Sequence, residues 1–391
     1  MRGFWRAPLA AMCALLAGIG LARFAYTPLL PALVTAGWLG PGDAAYLGAA
    51  NLLGYLAGAL VARWAARRMR LVPLLRAMML ATSLALFLSA LPFGFWWLLP
   101  WRLVTGITGA FLMVLAPPAA LARVPAERRG LAGGIVLTGV GLGIALSGVL
   151  MPALLRFGVS EAWYGLGAAA FLLAWAAWGG FGEPPSAPAP ASASAARRIR
   201  VLALAYALNA VGLVPHMVFL ADFVARGLGA GVAAGAHQWI IFGIGALGGP
   251  VVMGRIADRV GFAASLRAAF VIEAVFVGAL ALTANSVVLA LSSLVIGAYV
   301  PGITTLVLGR ARGLVPPDPR QQEGAWSTLT VAWAVGQAAG AYGFSALYAH
   351  AQSHGLLFGL GAAALVAALA VDLAGDGAAD EHARGEGEAI R

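Results

Sequence analysis

The sequence predicts an all-α membrane protein, with twelve transmembrane helices in two pseudo-symmetric six-helix bundles. Three observations predict it. The chain is 61% apolar and only 10% charged over 391 residues, whereas soluble domains carry about 25% charged residues. Apolar runs of about 20 residues, enough to cross roughly 30 Å of hydrocarbon, recur twelve times. A Pro/Ala/Ser-rich stretch then splits the series into six and six. The 52 glycines suit the same class, because small residues let helix backbones approach closely in lipid.

Between charge and Pro/Gly breaks, the runs cover about 7–35, 43–64, 71–90, 94–120, 130–155, 161–181, 201–225, 235–256, 263–284, 286–310, 322–349 and 354–374. The first six form an N-terminal bundle, 1–181. Residues 182–200 contain Glu-Pro-Pro-Ser-Ala-Pro-Ala-Pro and then Arg197, Arg198 and Arg200. Pro, Ser and Ala without periodicity predict a cytoplasmic linker there. A C-terminal bundle covers 201–374, and the acidic, Gly-rich 375–391 predicts a floppy cytoplasmic tail. The chain has no lysine, so all 25 of its basic Lys/Arg residues are arginines. With the N-terminus inside, Arg156 and Arg226 fall outside, Arg23 and Arg102 fall within the membrane, and every other arginine falls on the inner side. This inside-positive bias predicts two cytoplasmic termini and accounts for the net charge of +10 without a nucleic-acid partner. Arg23 and two prolines interrupt the small-residue region of the first run, so it reads as an uncleaved anchor.

The polar residues inside the runs carry the functional reading. Arg23 lies mid-run in Gly20-Leu-Ala-Arg-Phe-Ala-Tyr-Thr-Pro-Leu-Leu-Pro31, where a charge costs at least about 2.5–3.5 kcal/mol. It either faces a wet cavity or is pinned by a carbonyl or carboxylate. Pro28 and Pro31 remove two backbone donors nearby. The seventh run repeats the feature: His216 follows Pro215, and Asn209 lies seven residues earlier on the same helical face. Interrupted helices at corresponding places of two halves point to a transport site. His216 suits a proton relay or a substrate contact, or is simply hydrogen-bonded. Glu273 is the only carboxylate well inside a run. It must take a proton or pair with a cation, as a proton carrier or as a structural partner. Asn51 and Tyr55, spaced i, i+4, are candidate cavity hydrogen-bonders with Tyr26 and Gln337, or interhelical ties of about 0.6 kcal/mol. Arg102, beside Trp96, Trp97 and Trp101, either lines the cavity or snorkels to the interface.

Asp222, near the outer end of its run, reads as a gate or surface residue. His350 and His354 flank an outer loop without neighbouring carboxylates, so no metal site is expected. Cys13 is the only cysteine, which excludes a disulfide framework and a thiolate cluster. HExxH, GxSxG with partners, Walker loops and paired acidic clusters are absent from the sequence, so no enzyme activity and no cofactor are expected.

Gly58-Ala-Leu-Val-Ala62-Arg63 and Gly254-Arg-Ile-Ala-Asp258-Arg259-Val-Gly261 form an internal repeat at the end of the second run of each half. The latter matches a Gly-x-x-x-Asp-Arg-x-Gly signature. Arg102-Leu-Val-Thr-Gly106 matches Arg-x-x-x-Gly, and Gly133, Gly139, Gly141, Gly143 and Gly148 form a glycine ladder. On these motifs and their spacing the chain resembles the major facilitator superfamily (MFS) over nearly its whole length. Arg23-Phe-Ala-Tyr-Thr-Pro-Leu-Leu-Pro31, Ala50-Asn51-Leu-Leu-Gly54-Tyr55 and Gly336-Gln337 resemble its YbfB/YjiJ-type branch. The resemblance implies the MFS fold and a role for Arg102 in proton coupling or cavity electrostatics. It also implies a cytoplasmic gate at Arg63, Arg67, Gly254, Asp258 and Arg259. Ala62 stands where the first signature would carry Asp, and Glu127 in the next inner loop is the available substitute.

The expected function is secondary active transport of a small solute by alternating access. Arg23, Tyr26, Asn51, Tyr55, Arg102, Asn209, His216 and Gln337 are the cavity candidates, and Glu273, His216 and Arg102 the proton-coupling candidates. Two buried arginines favour an anionic or carboxylate-bearing substrate. Drug or metabolite efflux by the same fold is a rival, and a non-transporting receptor or sensor is a rival of another class. The expected partners are the substrate, protons and the lipid bilayer. The expected state is a monomer in a bacterial inner membrane.

Overall fold

The computed structural model describes residues 5–125, 129–182, 193–316 and 318–389, and the regular elements among them are helices. They form twelve long rods. The first six are α1 (Arg6–Thr35), α2 (Pro41–Arg68), α3 (Leu71–Leu88), α4 (Phe95–Leu121), α5 (Arg129–Leu154) and α6 (Val159–Ala177). Next come α7 (193–227), α8 (Gly231–Val260), α9 (Phe262–Leu282), α10 (Ser286–Leu314), α11 (Pro319–Ala351) and α12 (His354–Ala389). Much of the expected linker, with Glu127, Arg128 and Arg2, lies outside the described residues. Helix α7 begins at Ala193, upstream of the expected 201, because Ala-Ser-Ala-Ala-Arg-Arg favours helix. Helix α12 likewise continues past Gly375.

Ten of the twelve rods are long and apolar enough to cross a membrane, against twelve expected; α6 and α11 fall outside that set. Their sequences explain it. Helix α6 opens Val-Ser-Glu-Ala-Trp-Tyr-Gly, and α11 carries Gln321, Gln322, Gln337 and several hydroxyls. Buried Thr330 and Gln337 sit on α11, and a helix with polar groups facing protein has less need of an apolar circumference.

Prolines set the local form of α1 and α7. Pro28 has no N–H to give the carbonyl four residues back, and the preceding stretch, Leu16–Phe24, is π-helical. In α7 the π-helical turns are Pro215–Phe219 and Phe223–Gly227. Such turns re-space side chains and frequently mark functional sites. Arg23 sits at the end of the first, and His216 inside the second.

The packing order repeats between the halves. Helix α2 runs along α4, α1 along α5, and α3 against α4 and α6; correspondingly α8 runs along α10, α7 along α11, and α9 against α10 and α12. Across the halves α5 packs on α8 and α2 on α11, contacts that map onto each other when six is added to each helix number. Large apolar side chains stay exposed on α3 (Leu84), α6 (Leu172, Trp175), α9 (Val275) and α12 (Val366), forming a lipid-facing belt.

Glycines permit the closest approaches. A Cβ at Gly106 of α4 would meet the Asn51 carbonyl and the Tyr55 amide of α2. The ladder in α5 splits between two partners. Gly139 and Gly143 face Met12 and Gly20 of α1, while Gly141 faces Ala246 of α8. Gly106→Ala should therefore destabilise the protein by about 1–3 kcal/mol, the usual cost of overpacking. Gly343→Ala, whose added methyl meets nothing within 4 Å, should be neutral or slightly stabilising. Thermal unfolding of the two variants in detergent checks the contrast.

Candidate functional site

Helices α1, α2, α4, α5, α7, α10 and α11 line a narrow, partly open cavity between the halves. A second, also narrow, lies beside it, toward Thr27 and Leu30 of α1. Arg23, Phe24 and Met217 border both. Arg23 of α1 donates from Nη2 to Oε1 of Gln337 on α11. Its guanidinium lies 5.3 Å from the Phe24 ring centroid and 5.5 Å from that of Tyr55, a cation–π setting worth about 0.5–2 kcal/mol. No carboxylate among the described residues pairs with it. Gln337 in turn directs Nε2 at the Met217 sulfur, 3.1 Å away, a weak acceptor.

Arg102 is held differently. It is 2% exposed, donates Nη1 to the Ala22 carbonyl at 2.8 Å and Nε to the Leu47 carbonyl at 3.4 Å, and lies 4.1 Å over the Tyr26 ring. The interface-snorkelling alternative is thereby excluded: the side chain turns inward and clamps α1 and α2 to α4. Tyr26 and Asn51 border the second cavity but also serve as ties. Tyr26 donates to the Ala44 carbonyl at 2.7 Å. Asn51 donates to Thr105 Oγ1 at 3.0 Å and to the Arg102 carbonyl at 3.3 Å.

Asn209 pairs with Glu273, His216 bonds elsewhere, and none of the three lines either cavity. Their side chains turn toward α9 and α10, which is why the expected cavity roles of Asn209 and His216 do not match the linings. Asn209 donates to one oxygen of the fully buried Glu273. The other Glu273 oxygen has no hydrogen-bond partner. His216 Nε2 lies 2.8 Å from Ser292 Oγ, and Ser292 donates its single hydrogen to the Phe276 carbonyl at 2.7 Å. The imidazole must then carry its hydrogen on Nε2, which leaves Nδ1 buried without a partner.

The gate residues stand apart. Asp258 and Arg259 are exposed at the end of α8 and form no ion pair with a described residue. The side chain of Arg63, at the end of α2, reaches toward Gly324 of α11. Among the described residues the implied charge pairs of the gate are not formed.

Several site residues went unread in the sequence. Tyr206, one turn before Asn209, lines the cavity, pairs with Thr304 Oγ1 at 3.1 Å and packs on Trp333 at 4.5 Å between centroids. Spacing of i, i+3 from Asn209 was the available signal. Asp372 of α12 is 1% exposed and joins Arg267, at 2.8 Å, to Arg310. His354 lies 3.0 Å from Asp222, which also pairs with Arg226, so the outer loop does bring a histidine to a carboxylate. Among the described residues no group of three or more His, Cys, Asp or Glu could hold a metal.

A two-half helical membrane protein enclosing a cavity with an uncompensated guanidinium has the features of a solute transporter. In fold the chain is similar to the crystal structure of the human organic anion transporter MFSD10 (TETRAN), with a TM-score of 0.77 and 17% identity over 95% of this chain and 100% of that one. Residues 15–373 match the family described as "Uncharacterised MFS-type transporter YbfB", and the chain belongs to that family. Comparison with curated proteins gives no match.

Asp372→Leu should remove the buried carboxylate shared by Arg267 and Arg310 and destabilise the fold. A fall in the thermal unfolding midpoint without any change in substrate preference checks it.

Proposed function

We propose that the protein is a secondary active transporter that moves a small anionic solute by alternating access, coupled to protons. In this reading all twelve helices cross a bacterial inner membrane as two pseudo-symmetric six-helix bundles, with both termini cytoplasmic, and the chain works as a monomer. Arg23 carries the reading. It is a permanent cation bordering the space between the halves, and a neutral amide holds it where a carboxylate would neutralise it. An anion is the ligand that such a group favours most. The similar human protein is an organic anion transporter, which agrees with this choice.

Proton coupling rests on Glu273. A carboxyl at 0% exposure, with one oxygen unpartnered, is stable there only when it carries a proton or when the helices around it move. Asn209 can serve either form, donating to the carboxylate or accepting from the acid. The proton would therefore be taken up and released as α7 and α9 separate and close.

Reconstituted full-length protein with an imposed pH gradient and a panel of labelled small carboxylates tests both parts, with flux followed in each direction. Arg23→Ala should lower kcat/KM about 10–100-fold, the loss of one or more hydrogen bonds to a charged group. Glu273→Gln should keep solute exchange but lose accumulation driven by the pH gradient. Unaltered kinetics and substrate range in Arg23→Ala would overturn the anionic reading.

A further inference from the structure

We propose that the central cavity takes an organic monoanion, one carboxylate on a small apolar body, and that this carboxylate displaces the Gln337 amide from Arg23. The inference rests on the anionic reading above and narrows it in two ways, to a ligand class and to a displacement that links binding to opening.

The single charge follows from how the two arginines are held. Arg102 gives Nη1 and Nε to the Ala22 and Leu47 carbonyls, lies over the Tyr26 ring and borders the second cavity but not the central one. Arg23 gives one bond to Gln337 and has further N–H groups to offer. Arg23 is the one arginine among the described residues lining the central cavity, and it matches one carboxylate. A second carboxylate on the same ligand would lie against Trp333, Met113, Val300 and Pro301, where nothing cationic meets it and burial is costly. The same wall favours an apolar body. Its hydroxyls are partly engaged already, since Tyr206 and Thr304 bond each other at 3.1 Å.

The displacement follows from what holds Gln337. Its oxygen accepts from Arg23, and its nitrogen faces only the Met217 thioether. A carboxylate on a guanidinium makes bonds about twice as strong as a neutral acceptor does, so the ligand outcompetes the amide. Arg23 belongs to the first half of the chain; Gln337 and Met217 belong to the second. Their contact, with Thr27 Oγ1 donating to the Met217 carbonyl at 3.4 Å, lies where the two cavities meet. An anion at Arg23 therefore unties the halves at the point that separates the cavities.

The test uses the full-length protein in lipid nanodiscs, with benzoate, terephthalate and benzamide as probes and calorimetry as readout. Benzoate should bind the unaltered chain at least about tenfold more tightly than terephthalate or benzamide. Gln337→Leu removes the competitor and should tighten benzoate binding several-fold. Gln337→Glu supplies a tethered carboxylate to Arg23 and should abolish benzoate binding while leaving the thermal unfolding midpoint at or above that of the unaltered chain. Terephthalate binding as well as benzoate, or Gln337→Glu and Gln337→Leu both binding benzoate like the parent, overturns this proposal and leaves the anionic reading standing. No binding of either anion to the parent or to Gln337→Leu, in protein that unfolds normally, overturns both.

Discussion

A guanidinium inside hydrocarbon must find acceptors, and the centre of this molecule is arranged around two that find them differently. Arg102 takes backbone carbonyls from α1 and α2 and becomes a clamp. Arg23 takes an amide from the opposite half and two aromatic faces. The first solution is permanent, because carbonyls of intact helices do not leave. The second is exchangeable, because Gln337 can turn away. The contrast separates scaffold from site more clearly than burial does, since both residues sit deep in the fold.

That division needs helices that approach closely yet are not bonded into one block. Backbone contact through Gly106 and Gly54 locks α2 to α4 within the first half, and Gly297 with Gly245 does the same for α8 and α10. Between halves, Gly141 and Gly243 bring α5 and α8 into similar proximity, with Trp239 donating to Ser147 at 3.3 Å as a polar tie. Small residues give contact area without interlocking side chains, so such a surface can slide.

Much of this was legible in the sequence, and the remainder was hidden for identifiable reasons. Composition and run length gave the helical membrane class, and Pro28 and Pro215 marked the helices that depart from regular geometry. Arg23 stood out because a charge in an apolar run has few bland explanations. The fate of Arg102 was not legible, since its acceptors are backbone carbonyls, which every residue has. The pairing of Asn209 with Glu273, 64 residues away, depends on the rotation of α7, and a proline-widened helix no longer follows the 3.6-residue period used to assign its faces. The same uncertainty turned His216 toward Ser292 instead of the cavity. Helix α11 looked like an ordinary span, and its polar, Trp-bearing face became meaningful only once Arg23 lay opposite.

That no described carboxylate pairs with Arg23 or Arg102 has an electrical consequence. Moving one elementary charge through 100 mV changes the energy by about 2.3 kcal/mol. If the proposed cycle displaces α1 and α4 along the membrane normal, it carries both guanidinium charges through that field. A bound monoanion cancels half of that gating charge. In the proposed cycle the membrane potential would then act unequally on the empty and filled forms, and more strongly on the return stroke than on the loaded one.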